Sequence, residues 1–205
     1  MNINILVFEG VDEIDFVGPL EIFRRAAKLT GKMDVHLVTL APCAQVICAY
    51  GLRVLPDSVL EGTPDLLIVP GGGYAGRAAR GIRYEIEHTA LPACLAELHA
   101  RGCLLAGVCT GGMALAAAGL LKNRKAVTHR AALAGLHASG AVVVKSRVVD
   151  DGELVTCGGV TSSLDLALHL VSRLCGPQVA AQISLGMEYT PSTDVVIGKS
   201  PADAS

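Results

Sequence analysis

The stretch Cys103-Leu104-Leu105-Ala106-Gly107-Val108-Cys109-Thr110-Gly111-Gly112 decides how the chain reads. A short apolar run, the length of a buried strand, ends at a cysteine followed by Thr-Gly-Gly. The next residues, Met113 to Leu121, are rich in helix formers. The pattern predicts strand, tight turn and helix, with Cys109 on the turn. Such an elbow lifts a side chain clear of the sheet and sets helix N–H groups beside it. A helix N-terminus favours negative charge, so a thiol there is expected to lose its proton readily. The plain alternative is a buried structural cysteine at a strand end, a common fate of free cysteines.

Working outward, residues 3–8 read as a first strand. Gly18-Pro19 reads as a helix start, with the helix running to about Leu29 and closing at Gly31. Strands follow at 34–40 and 66–69, with a short hairpin at 45–55 around Tyr50-Gly51. A helix is expected over roughly 82–100, and a strand at 125–129 with a helix near 131–137. Asp151-Gly152 between β-branched runs signals a hairpin. Ser162 with Asp165 resembles a capping-box helix start, and that helix closes at Gly176-Pro177. The tail after about residue 188 reads as irregular. Apolar strands alternating with helices predict an α/β fold: a mostly parallel sheet with helices on both faces.

At 205 residues and 51% hydrophobic content, the chain has material for one sizeable core, so residues 1–205 are expected to form one domain. Net charge is −2 with no basic block, which argues against a nucleic-acid partner. No apolar run is long enough to span a membrane, and the start lacks a signal-peptide pattern; the expected place is the cytoplasm. Seven cysteines, an odd number without a CxxC pair, argue against a disulfide framework or a zinc site. Cys43, Cys48, Cys94, Cys103, Cys157 and Cys175 read as small apolar fillers.

Ligands in such sheets bind beyond the carboxyl ends of the strands. Three segments fall there: Glu9 to Asp15, Gly71 to Gly73, and Cys109 to Gly111. Asp15, between Ile14 and Phe16, is expected to face an apolar pocket, where a carboxyl holds its proton and suits acid/base work; otherwise it is a helix cap. Asp12 and Glu13 read as solvated. Gly71, Gly72 and Gly73 would bring N–H groups close to a developing oxyanion, or simply serve a turn. Gly71 to Gly76 formally matches GxGxxG, but the acidic residue that a dinucleotide site places at the end of the next strand is here Cys109. His129 either pairs with Cys109 as its base or is a histidine satisfied at the sheet edge.

Taken together, Ile14-Asp15-Phe16-Val17-Gly18-Pro19, Val69-Pro70-Gly71-Gly72, Gly107-Val108-Cys109-Thr110-Gly111, Val127-Thr128-His129 and Gly158-Gly159-Val160-Thr161 resemble the DJ-1/PfpI superfamily. Its isocyanide hydratase branch shares Asp-x-x-Gly-Pro and Cys-Thr-Gly, and the sensor domains of some AraC-type regulators look similar in the same places. The resemblance implies a flavodoxin-like three-layer sandwich, a homodimer and a reactive Cys109, with Asp15 as acid/base and Thr110 as a pocket residue needed for hydration. Gly111 and His129 would line the site. The implied reaction on a small-molecule substrate needs neither metal nor cofactor. Protease-like members carry His directly after the cysteine; Thr110 in that place argues against peptidase activity. Gly73 and Arg130 depart from the Thr and the aromatic residue of the hydratases. No helix-turn-helix follows residue 205, so a complete DNA-binding regulator is not expected.

Overall fold

The computed structural model describes residues 1–74 and 79–198. Gly76, the last glycine of the GxGxxG match, lies outside the described residues, as do residues 199–205 of the tail. Eight strands form one sheet: β1 (Asn2–Leu6), β2 (Asp34–Thr39), β5 (Ser58–Val59), β6 (Leu66–Val69), β7 (Leu104–Gly107), β10 (Val148–Asp150), β11 (Leu154–Cys157) and β12 (Val195–Ile197). Their order is β12-β10-β11-β7-β6-β1-β2-β5. Among the described residues of this sheet only β10 and β11 pair antiparallel, joined by the hairpin at Gly152. The central strands are buried on both faces, as β6 shows with four buried residues in a row. β3 (Val46–Ile47) and β4 (Arg53–Val54) form the separate hairpin, antiparallel as expected.

Helices α1 (Glu13–Thr30), α6 (Ser162–Cys175) and α7 (Pro177–Gly186) cover one face. The other carries α2 (Ile82–His88), α3 (Leu91–Ala100), α4 (Gly111–Ala117) and α5 (Leu133–Ala138). This is the flavodoxin-like three-layer sandwich. Phe16 and Phe23 of α1 are fully buried against the sheet, each burial being worth roughly 1.5–3 kcal/mol.

Several expected boundaries move. α1 begins six residues before Pro19, which sits inside it. An internal proline costs roughly 3 kcal/mol, and packing offsets it: a Cβ on Gly18 would lie 2.8 Å from Leu164 Cδ2, so α1 and α6 cross closely here. Ser163 Oγ of α6 also donates to the Ile14 carbonyl, 3.1 Å away. The single helix expected over 82–100 is two. Thr89 breaks it by donating to Glu85 O (2.6 Å) and accepting from Leu91 N (3.1 Å), and Pro92 sits in the first turn of α3. The strand expected at 125–129 shrinks to β8 (Lys125–Ala126), which pairs with β9 (Val142–Val143) outside the main sheet.

Ser162 and Asp165 make no capping box; Thr161 is the N-cap, and its side chain makes no capping bond to the helix. Asp165 instead accepts from Arg147 Nε (2.6 Å), Tyr189 Oη (3.0 Å) and Ser192 N (2.7 Å). That anchor corrects the irregular tail: it holds the chain after α7 so that β12 adds, parallel, to β10. Among the described residues, no helix is long and apolar enough to cross a membrane.

Candidate active site

Cys109 leaves β7 with φ at +54°, a left-handed conformation that a non-glycine residue adopts at some cost. The turn is tied on every side. Cys109 N–H donates to Gly158 O (3.1 Å), its carbonyl accepts from Thr128 Oγ1 (2.7 Å), and Gly111 N–H donates to Val108 O (2.7 Å). Gly111 is dictated by space, because a Cβ there would fall onto the carbonyl oxygen of Val69. The elbow of β7 and α4 therefore wedges directly against the end of β6.

Asp15 comes from the first turn of α1 and is 0% exposed. Its Oδ2 accepts from Gly71 N–H at 2.9 Å, so it bonds the neighbouring loop rather than capping its own helix. Its Oδ1 is buried without a regular hydrogen bond, although the Cys109 thiol is close enough to help stabilise the carboxylate. Burial, and then the charge of Asp12, push the carboxyl up to about 7. Burial followed by the charge of Asp15 pushes the Cys109 thiol up to about 12; the N–H groups of Val160 and Thr110 pull it the other way. The easily ionised thiol expected at a helix start is thus corrected: α4 is only seven residues long, and desolvation outweighs its field.

The glycine loop has a different role from the one expected. Gly71 N–H is taken by Asp15 and Gly72 N–H by Thr110 Oγ1 (3.2 Å). The loop therefore positions the carboxyl and the hydroxyl, and the N–H groups that face the sulfur come from Val160 and Thr110. A Cβ on Gly71 would strike Thr110 Oγ1. Gly73, with φ at +64°, turns the chain against Arg80 O.

His129 makes no hydrogen bond to Cys109 among the described residues. Its Nδ1 accepts from Ala131 N–H (3.2 Å), capping a short 3₁₀ turn, and the ring lies against Gly159, where a Cβ would be 2.6 Å from Cδ2. Asp12 and Glu13 are not simply solvated. Burial raises the half-buried Asp12, and Glu13 Oε1 accepts from Tyr50 N (2.8 Å) and Leu52 N (3.3 Å) of the hairpin turn. Nor are all the other cysteines apolar fillers, since Cys43 is exposed. Val160 entered the sequence reading only as part of the resemblance, with no site role. Its φ of +33° is an outlier for a β-branched residue, and nothing in a propensity pattern marks it.

Among the described residues, no group of three or more His, Cys, Asp or Glu side chains could hold a metal. A cavity of about 680 Å³ lies between α6, α7 and residues 188–195. Apolar side chains such as Leu168, Ala180 and Leu185 line much of it, and no elbow residue does, so it is not the centre of this chemistry.

Residues 1–173 match the DJ-1/PfpI family. The chain is 36% identical over 196 residues to the isonitrile hydratase of Pseudomonas putida, covering 94% of this chain and 80% of that one. It is 32% identical to the HTH-type transcriptional regulator CdhR of Pseudomonas aeruginosa, over 87% of this chain but only 52% of the regulator. The crystal structure of a ThiJ/PfpI family protein from Pseudomonas syringae superposes with a TM-score of 0.82 at 30% identity, covering 93% of this chain and 76% of that one. With its elbow cysteine, its buried carboxyl and a match running from the first residue to the last turns of α6, the chain belongs to the DJ-1/PfpI family.

Proposed function

We propose that the protein hydrates an isocyanide to an N-formamide. The observation that carries this reading is the buried Asp15 carboxyl, raised to about 7 and set against Cys109. A group poised near neutrality can give and take a proton in one cycle. The Cys109 thiolate adds to the terminal carbon of the isocyanide while Asp15 delivers a proton to that carbon, giving a thioimidate. Asp15, now a carboxylate, takes a proton from water as the hydroxyl adds to the same carbon. Collapse passes the adduct's hydroxyl proton to nitrogen, forms the C=O bond, expels the Cys109 thiolate and leaves the formamide, with Asp15 protonated for the next cycle. Isocyanide and water are consumed in equal number, and two modest barriers replace one high barrier. The likeness to the isonitrile hydratase supports this choice among cysteine chemistries. The proposal takes the protein as a cytoplasmic homodimer; the part-exposed Ile14, Val17 and Leu29 of α1 offer an apolar face for pairing.

The test is formamide production from a panel of alkyl and aryl isocyanides, followed by chromatography. Turnover that disappears in Cys109→Ala is the expected result. Wild-type protein without turnover on the whole panel would overturn the reading. A second reading, a ligand or redox sensor, draws on the match to the regulator; it predicts ligand binding or Cys109 oxidation without turnover.

A further inference from the structure

The reaction proposed above uses one thiol, yet a second lies beneath the elbow. β11 runs parallel to β7 with Thr156 opposite Gly107, and the ladder continues through the bond from Cys109 N–H to Gly158 O. Cys157 therefore sits one diagonal step from Cys109. Strands lie about 4.8 Å apart with a rise of about 3.3 Å per residue, so the two Cα atoms are roughly 6 Å apart. A disulfide needs a Cα separation of about 4.4–6.8 Å.

The side chains also share a face. Cys157 pairs with Val148, and Val155 with Asp150. Residues paired across strands, and those two apart along one, point to the same side. Asp150 meets His169 of α6 at 2.7 Å, so Cys157 points to the side of the sheet covered by α1 and α6. The register puts Cys157 opposite Val108; the positive φ of Cys109 breaks the strand alternation there, and Cys109 meets Asp15 of α1 while its backbone N–H lies against the Cys157 thiol. Cys157 is 0% exposed, and Cys109 is 6% exposed.

We propose that Cys157 is the resolving thiol of Cys109 and that a hydroperoxide converts the pair to an internal disulfide. The Cys109 thiolate attacks the peroxide, breaking the O–O bond to give a sulfenic acid and releasing hydroxide or alkoxide. The sulfur loses two electrons and the peroxide gains them. The Cys157 thiol then displaces the sulfenic hydroxyl, its proton leaves with that oxygen as water, and the S–S bond closes. Burial keeps peroxide from Cys157, which fixes the order of attack. Cys103, just before β7 and six positions ahead of Cys109, is roughly 20 Å away at the other end of that strand and out of reach. The disulfide would shelter Cys109 from irreversible oxidation to the sulfinic acid.

The experiment treats folded protein with hydrogen peroxide in excess over about two equivalents per protein, alkylates it and digests it without reduction for mass spectrometry. The expected product is a cross-linked peptide pair joining Cys109 to Cys157, with two hydrogens lost and dithiothreitol restoring both thiols. In Cys157→Ser, Cys109 should instead gain two oxygens that dithiothreitol does not remove. Wild-type protein that gains two oxygens at Cys109, with Cys157 still alkylated after denaturation, would overturn the proposal. So would a disulfide from Cys109 to any other cysteine or between chains. The wild-type readout needs no variant to fold and no isocyanide, so it stands or falls apart from the hydration assay.

Discussion

Asp15→Asn separates a proton-cycling carboxyl from a structural one. In the folded chain the carboxyl is raised from 3.8 to about 7, chiefly by burial. At about 1.4 kcal/mol per unit, ionised Asp15 costs the fold on the order of 4 kcal/mol above that value. Because the folded value is the higher one, the unfolded chain is already ionised between about pH 4 and pH 7 while the folded chain still holds its proton. Stability therefore falls as pH rises through that window, and below it the penalty is absent. Asparagine keeps an oxygen for Gly71 N–H and removes the charge, at about 1 kcal/mol for its less well-placed NH₂. Near pH 8 the variant should be more stable than wild type by about 2–3 kcal/mol, or roughly 4–12 °C in Tm. Toward about pH 4 the gap should close and reverse by the amide's cost of about 1 kcal/mol. Turnover should fall about 10²–10⁴-fold, since the amide cannot cycle a proton. Urea unfolding of both proteins across this pH range, beside the formamide assay, tests both halves. A variant less stable at the alkaline end, a gap that does not change with pH, or retained turnover would refute the reasoning.

Gly111→Ala should fail to give soluble folded protein, or lose more than about 4 kcal/mol, because its Cβ would meet the fixed carbonyl of Val69. Gly186→Ala, where a Cβ meets only Arg25 at an ordinary 3.7 Å, is the tolerated control, and thermal unfolding compares them. Thr110→Val strips Gly72 N–H of its acceptor and should cost about 1–3 kcal/mol; Thr110→Ser should restore stability and turnover together. Asp165→Ala should free the segment before β12 and speed hydrogen exchange at Gly198 N, which now bonds Asp150 O at 2.7 Å. Its global cost should be about 2 kcal/mol, because the Arg147 partner is partly in solvent.

The elbow was legible because three local signals agree there: an apolar strand, a cysteine where it ends, and glycines where the next backbone presses in. The failures share another cause. Pro19 inside α1 looks forbidden from local rules, and the close crossing with α6 at Gly18 overrides them. The tail looks irregular because three residues of β12 carry little pattern; Asp165, read as a cap, is what docks it. Asp15 was placed in a pocket by its apolar neighbours, but its hold on Gly71 is a contact between residues 56 positions apart. The face of Cys157 depends on the register of β10 against β11, which sequence alone does not supply.

The raised Cys109 thiol does not disable the proposed reaction, because sulfur and Asp15 act as one unit. Passing the proton from sulfur to the carboxylate leaves the pair with the same single negative charge. Desolvation, the largest cause of both upward shifts, therefore cancels to first order in that exchange. What remains is local. Val160 and Thr110 direct N–H groups at the sulfur, while Gly71 N–H and the Cys109 thiol serve the carboxylate. Asp12 repels negative charge on either. With the carboxyl at about 7 and the thiol at about 12, the pair rests above neutrality as thiol and carboxylate, and the N–H groups facing the sulfur stabilise the exchanged state, thiolate and acid, as it forms. Addition to an isocyanide needs that state: a nucleophile and a proton donor, side by side and shielded from water. The positive φ at Cys109 and at Val160 belongs to this same corner, where the Val160 N–H is directed at the sulfur.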